Sequence, residues 1–334
     1  MKSSEDRLQL ITRNTEEILG EEDLISQLQS QKKLSAYLGV APTGLYHMGY
    51  LVPLAKLFDF GQAGVIGKAL IADIHAALDD LKTPWDKIEF VGDYYQKCIE
   101  LSFPWETKPH FIRGSSFQLA KDYQLDLLKL STLTTVARAT RAASEVTRMK
   151  NPKVSELIYP LMQALDEEYL GVDIQLGGID QRHILAYARE ILPTIGYRPR
   201  IEVMNPLVVS LKGPGVKMSA SIPSSRILVH DSESAMTQSI QKAYCPEGIA
   251  SDNPVLQLIK YIIFAVKPSF TIMRDRKFGG DVTYQNYPNL ESDFVAKLLH
   301  PSDLKSALAR ELLIIFKRVR VYFEQHPDRV PHSP

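Results

Sequence analysis

The segment that most restricts the fold runs from Leu34 to Tyr50: an apolar strand through Val40, a turn built on Pro42 and Gly44, then a helix opening on His47, Met48 and Gly49. A strand that feeds a helix through so short a turn is the first half of a parallel crossover unit. The chain continues in kind. Short apolar runs at 35–40, 65–72 and 172–176 read as buried parallel strands, and the stretches 85–102, 122–148 and 180–192 between and after them read as helices. That alternation predicts a doubly wound α/β sheet. Ahead of it, residues 5–32 read as two short amphipathic helices, the second following Glu21, Glu22 and Asp23, which suit a helix N-terminus.

The same turn has a chemical reading. Backbone N–H groups at a helix start attract phosphate, and glycines such as Gly39, Gly44 and Gly49 let a flat base or a phosphate approach the main chain. His47 adds an imidazole. Far downstream, Lys217-Met218-Ser219-Ala220-Ser221 places an ammonium and two hydroxyls on a loop announced by Lys212-Gly213-Pro214-Gly215, suited to folding over phosphates and leaving again. Taken singly, His47 is explained as well by a helix cap and the Lys/Ser loop by solvated surface.

A second cluster is Tyr159-Pro160-Leu161-Met162-Gln163-Ala164-Leu165-Asp166. With Pro160 expected in the first turn of a helix, Tyr159, Gln163 and Asp166 stand on one face, a phenol, an amide and a carboxylate together. An isolated helix would simply turn such a face to water. The sequel argues otherwise: Gly177-Gly178 ends a strand, and Asp180, Gln181 and Arg182 open the next helix, a place where a carboxylate accepts ribose hydroxyls. Asp73 and His75 follow another apolar run and serve either to support such a pocket or as a structural pair.

The two phosphate-type segments, in this order, resemble the HIGH and KMSKS signatures of class I aminoacyl-tRNA synthetases. The first departs from the usual letters as His-Met-Gly-Tyr and the second carries Ala220, but His47, Gly49, Lys217, Ser219 and Ser221 remain. Tyr37, the Tyr159/Gln163/Asp166 helix, Gly177-Gly178-Ile179-Asp180-Gln181, Lys277-Phe278-Gly279-Gly280-Asp281 and His300-Pro301-Ser302-Asp303-Leu304-Lys305 are similar to the tyrosyl-tRNA synthetases of archaeal and eukaryotic cytosolic type, in register from about residue 30 to 320. The resemblance implies tyrosine activation by ATP, then transfer of the tyrosyl group to tRNA. By it, Tyr37 and Asp166 bind the substrate phenol, while Tyr159, Gln163 and Gln181 hold its ammonium. His47, Lys217, Ser219 and Ser221 are the catalytic group. Gly39, Gly44, His47, Gly49, Gly178, Asp180, Lys217 and Met218 face ATP. Arg141 and Arg182 meet the acceptor stem; Phe278 stacks on an anticodon base and Asp303 reads its edge. A solvated helix face explains the arginines equally, a core position Phe278, and a helix cap Asp303. Magnesium is expected to arrive with ATP, with no metal site and no prosthetic group in the protein.

Composition sets the frame. At 334 residues, with 45% hydrophobic side chains, the chain has enough apolar material for two packed domains. By the resemblance they are expected as a Rossmann-like catalytic domain over 1–230, with an inserted helical dimerisation region near 115–150, and an all-helical anticodon-recognition domain over 231–334. Helices are predicted there at 234–244, 254–266, 290–298 and 302–323. Lysine plus arginine and aspartate plus glutamate balance at 39 each, which argues against a general polyanion binder and makes any tRNA footprint local. Two cysteines, Cys98 and Cys245, form no disulfide framework or metal cluster. The polar start at Met1-Lys2-Ser3 and the want of a long apolar run lead to the expectation of a cytoplasmic protein that does not engage a membrane, and the family resemblance implies a homodimer.

Overall fold

The structure, a computed structural model, describes residues 2–144, 152–215 and 226–331. They fall into two compact units that are not continuous in sequence. The first comprises Met1–Gly44, Lys56–Gln96 and Glu106–Pro206; the second comprises Leu45–Ala55, Lys97–Trp105 and Leu207–Pro334.

The first unit is built on one six-stranded sheet: β1 (Glu17–Leu19), β2 (Ser35–Val40), β3 (Ile66–Ile71), β4 (His110–Arg113), β5 (Ile174–Gly178) and β6 (Ile201–Asn205). Its spatial order is β1-β6-β5-β2-β3-β4, parallel throughout except for β1, which pairs antiparallel with β6 at one edge. The three expected strands are its centre, because Ala36, Leu38, Ala69, Leu70, Ile174 and Leu176 are buried. β1, β4 and β6 were not legible. β1 has three residues, β4 starts on an exposed His110, and β6 carries the fully buried Glu202 where an apolar residue would mark a strand.

Two helix readings need correction. Pro160 does not lie in a first turn: the helix spans Val154–Tyr169, so the proline is interior. The turn ahead of it holds because the Glu156 carboxylate accepts from the Lys153 N–H (2.8 Å), closing the helix start upstream. The stretch expected as one helix from 122 divides into Lys121–Leu133 and Val136–Ala143, because Thr134 is extended and the Thr135 hydroxyl caps the second helix through the Arg138 N–H. Beyond residue 144 that expectation lies outside the described residues.

The second unit is mainly helical, with Glu233–Lys242, Pro254–Leu258 continuing through a π-helical turn at Ile259–Ile263, Tyr287–Val295, Pro301–Ile315 and Lys317–Gln325. The last two replace one predicted helix and divide at Phe316. The all-helical expectation is corrected by an antiparallel hairpin of β7 (Phe270–Ile272) and β8 (Val282–Tyr284). Strands of three residues are too short to display a period.

Candidate active site

β2 and β5 lie side by side where the connections reverse direction: the chain moves outward from β2 to β3 and β4, and outward from β5 to β6. In open α/β sheets such a switch point leaves a crevice beyond the strand ends, where ligands bind. β2 brings Tyr37 and Gly39 to it, with Gly44 in the following turn, and β5 ends in Gly177 and Gly178. Asp180 and Gln181 stand in the 3-10 turn Ile179–Gln181 directly after. A side chain on Gly177 would put its Cβ 2.6 Å from Gln181 Oε1, so the bare Cα is what lets Gln181 fold back over the strand end.

The helix Val154–Tyr169 delivers the predicted face. Tyr159, Gln163 and Asp166 are all buried, which disposes of the solvated alternative. Gln163 Nε2 donates to Gln181 Oε1 (3.3 Å), and the Tyr37 hydroxyl donates to the Gln163 carbonyl (3.4 Å). Asp166 is the centre of the deeper end. Its Oδ1 accepts from Gln118 Nε2 (2.8 Å) and from the Tyr123 hydroxyl (2.9 Å), which lies equally close to the Met162 carbonyl (2.8 Å). Burial pushes the Asp166 carboxyl up to about 7, against the pull of these two hydrogen bonds. Burial first, then the charge of Asp166, holds the Tyr37 phenol well above its ordinary value.

Asp73 and His75 both support this end. Asp73 accepts from the Ser115 N–H (2.9 Å) and the Ser115 hydroxyl (2.5 Å), fixing the turn Gly114–Ser116 that delivers Gln118. Gly114 is bare for the same purpose: a Cβ there would stand 2.5 Å from Gln118 Oε1. His75 Nδ1 is 3.4 Å from Gln118 Nε2, and its Nε2 is 3.9 Å from Asp166 Oδ2. The Tyr159 main chain also hydrogen-bonds the imidazole, and Nε2 itself makes no hydrogen bond among the described residues. Burial lowers His75 to about 4, so it faces Asp166 as a neutral ring.

His47 belongs to the second unit. It precedes the 3-10 turn Met48–Tyr50, and its Nδ1 accepts from the Gly49 N–H (3.0 Å). Gly49 thus offers close approach and not a free N–H. With Nδ1 accepting, the neutral ring carries its proton on Nε2; burial, with Arg226, lowers His47 to about 4. The segment pairs with residues 226–229: Met48 N–H donates to the Ile227 carbonyl (2.9 Å) and His47 bridges Leu228. The second signature ends five residues before Arg226, so its downstream shoulder is tied to the first signature. Lys217, Met218, Ser219 and Ser221 themselves lie outside the described residues.

The family model for class I tRNA synthetases (W and Y) matches residues 29–317. A tyrosine–tRNA ligase of Archaeoglobus fulgidus is 42% identical, across 94% of this chain and 97% of its own length. The chain belongs to the tyrosyl-tRNA synthetase family. A crystal structure of the Archaeoglobus fulgidus synthetase complexed with L-tyrosine superposes with a TM-score of 0.88 at 41% identity, covering 98% of this chain and 100% of that one. The cytoplasmic tyrosine–tRNA ligase of Xenopus tropicalis is 42% identical, but the alignment covers 96% of this chain and 61% of the relative. The chain therefore spans about three fifths of the vertebrate relatives it matches. A tryptophanyl-tRNA synthetase of Aeropyrum pernix shares the fold, with a TM-score of 0.68 at 14% identity.

The residues that the family resemblance associates with tRNA are surface features. Arg141 is exposed in the last turn of Val136–Ala143. Arg182 opens the helix Arg182–Ile191 and is held by Glu17 through two hydrogen bonds (2.6 and 2.8 Å). Phe278 is 63% exposed and so is no core residue; Lys277 Nζ lies 4.9 Å from its ring centroid. Asp303 sits in the first turn of Pro301–Ile315, whose cap is His300, accepting from the Ser302 N–H (3.2 Å). The sequence reading missed Gln118 and Tyr123 as partners of Asp166. They sit in a mixed polar and apolar stretch that carries no local signal, and the partner lies more than forty positions away.

Proposed function

We propose that the chain is a tyrosine–tRNA ligase: it joins L-tyrosine to ATP as tyrosyl-adenylate with release of pyrophosphate, then transfers the tyrosyl group to the terminal adenosine of a tRNA. The observation that carries this is Asp166. A fully buried carboxylate, oriented on Oδ1 by Gln118 and Tyr123 and leaving Oδ2 for a further donor, suits a phenolic O–H at the end of the crevice. Phenylalanine would leave that oxygen desolvated and unpaired, at a cost of about 1–3 kcal/mol or more for a charged group. Tyrosyl-tRNA synthetases are themselves the reference case for such discrimination, about 10⁵-fold against Phe without editing.

Tyr159, Gln163 and Gln181 then hold the substrate ammonium. The attacking carboxylate is already ionised at neutral pH, so no general base is needed. Positioning and charge stabilisation must drive the step. His47 donates from Nε2 to phosphate oxygens of ATP, which arrives with Mg²⁺, and Lys217 with Ser219 and Ser221 steadies the departing pyrophosphate. Gly39, Gly44, Gly49, Gly178, Asp180 and Met218 border the nucleotide.

Residues 1–230 serve as the catalytic domain and 231–334 as the anticodon-recognition domain, with Phe278 and Asp303 on the anticodon and Arg141 and Arg182 on the acceptor stem. A homodimer is supported by the outward Leu119 (68% exposed), Leu128 (64%) and Val136 (70%) of the 115–150 region. Gln118 and Tyr123 in that stretch face inward and take no part. The cytoplasm is supported by the relatives named for it, and among the described residues no helix is long and apolar enough to cross a membrane.

The test is amino-acid-dependent ATP–pyrophosphate exchange with tyrosine, tryptophan and phenylalanine at matched concentrations. Exchange with tyrosine alone supports the reading. Exchange with tryptophan keeps the fold and overturns the pocket assignment; none with any of the three leaves a non-catalytic RNA-binding protein.

A further inference from the structure

Tyr37 does not stand alone on its face of the sheet. The parallel register sets it beside Lys68 on β3 and Gln175 on β5, and Gln175 beside Glu202 on β6. Paired residues on parallel strands project to one face, so these four form a row across the sheet. Glu167, next to Asp166 on the covering helix, acts on the same row: its charge and that of Glu202 both bear on the Tyr37 phenol. Glu167 and Glu202 have no exposed surface, and Gln175 has 1%.

What the row lacks is donors. Among the described residues none donates to either oxygen of Glu167, to either oxygen of Glu202 or to Gln175 Oε1. The nearby cations are occupied elsewhere. Arg200 donates from Nε to the Val172 carbonyl (2.8 Å), from Nη1 to the Arg198 carbonyl and from Nη2 to Glu168 (2.5 Å). Arg189 Nη1 donates to the Leu19 and Arg200 carbonyls, its Nη2 stands 3.9 Å from Asp23, and Lys68 Nζ donates to the Leu170 carbonyl. The arginines offset charge without supplying a hydrogen bond. Five buried acceptors with no donor are costly, and a single proton relieves both the missing donor and one of two like charges.

We propose that one of the two buried carboxyls, Glu167 or Glu202, keeps its proton at neutral pH, with Gln175 Oε1 as an acceptor beside Glu202, and that this limits the charge behind Tyr37 so that Tyr37 can read the phenol of the amino acid. The inference rests on the tyrosine-ligase reading. Burial raises both carboxyls, Glu202 to about 8 against the pull of Arg189 and Arg200, and Glu167 further through the neighbouring Glu202. When the proton passes to solvent, two carboxylates remain behind Tyr37, beside Asp166 and Glu168. The phenol-reading end then loses its fixed support.

The first measurement is infrared spectroscopy of the full chain at neutral pH. The wild type shows a carboxylic-acid C=O band that E202Q removes or shifts, with E167Q as the second variant where E202Q does not fold. The second is tyrosine binding by calorimetry from about pH 7 to about pH 9.5, which brackets the Glu202 value. Across it the wild-type Kd rises about tenfold more than that of E202Q, whose amide keeps its donor at every pH. Comparing the two cancels titration of the substrate itself. An acid band unchanged in both variants, or superimposable pH profiles, overturns the inference. A wild type that binds no tyrosine overturns the ligase reading instead, and the infrared band still decides the pair.

Discussion

Asp166 and Asp303 are both carboxylates assigned to recognition, yet they stand in opposite surroundings. Asp166 is 1% exposed, accepts from an amide and a phenol, and is pushed up to about 7 by burial. Asp303 lies partly exposed in the first turn of a surface helix, where water can replace any partner it loses. The buried group discriminates because a mismatched ligand strands it without solvent; the exposed one contributes little more than a local hydrogen bond. On the proposed assignment, a small rigid substrate is read at the first kind of site and a single-stranded base at the second, where the exposed Phe278 is expected to supply the larger share by stacking.

The largest expected effect is at the buried end. Asp166→Ala lowers kcat/KM for tyrosine by roughly 30- to 150-fold, about 2–3 kcal/mol, and narrows the gap to phenylalanine, read by pyrophosphate exchange. Unchanged selectivity would remove Asp166 from the pocket and erase the contrast. Phe278→Ala comes next: loss of one stacked base costs about 1–3 kcal/mol in tRNA binding, seen in aminoacylation KM, with pyrophosphate exchange untouched. Removing one donor to Asp166 in Tyr123→Phe costs about 1 kcal/mol of tyrosine affinity by titration. The smallest is Asp303→Ala, under about 1 kcal/mol in tRNA KM; an effect matching Asp166→Ala would show that exposure does not set the scale.

pH sharpens the same comparison. The folded Asp166 carboxyl titrates about three units above its ordinary value of 3.8, so the folded state holds the proton longer than the unfolded chain. Stability from this group therefore falls as pH rises from about 4 to about 7, by at most about 1.4 kcal/mol per unit, and is flat above. Tyrosine kcat/KM moves the other way, rising through about pH 7 as the acceptor ionises. Denaturant midpoints and exchange rates over that range should diverge in the wild type and not in Asp166→Asn.

The central strands, the turn at Gly44 and the Tyr159/Gln163/Asp166 face were legible because each is a local pattern: an apolar run, a turn residue, a helical spacing. β4 and β6 were not, since a polar start or a buried glutamate breaks the hydrophobic signal, and only pairing with a neighbour makes such a segment a strand. The phenol-reading end divides in the same way. Its helix-borne residues share one short window of sequence, while the groups that hold Asp166 come from Gln118 and Tyr123, gathered by the sheet and its crossovers.

By itself the sequence determined the α/β order, the two signatures and one face of a pocket, because periodicity and short-range spacing act between neighbours in the chain. Only the tertiary structure decided which of those polar groups lose water. Burial depends on what the fold stacks above and beside a residue, and at Asp166, His75, Glu167 and Glu202 it is burial that sets the protonation and, with it, what each group can do.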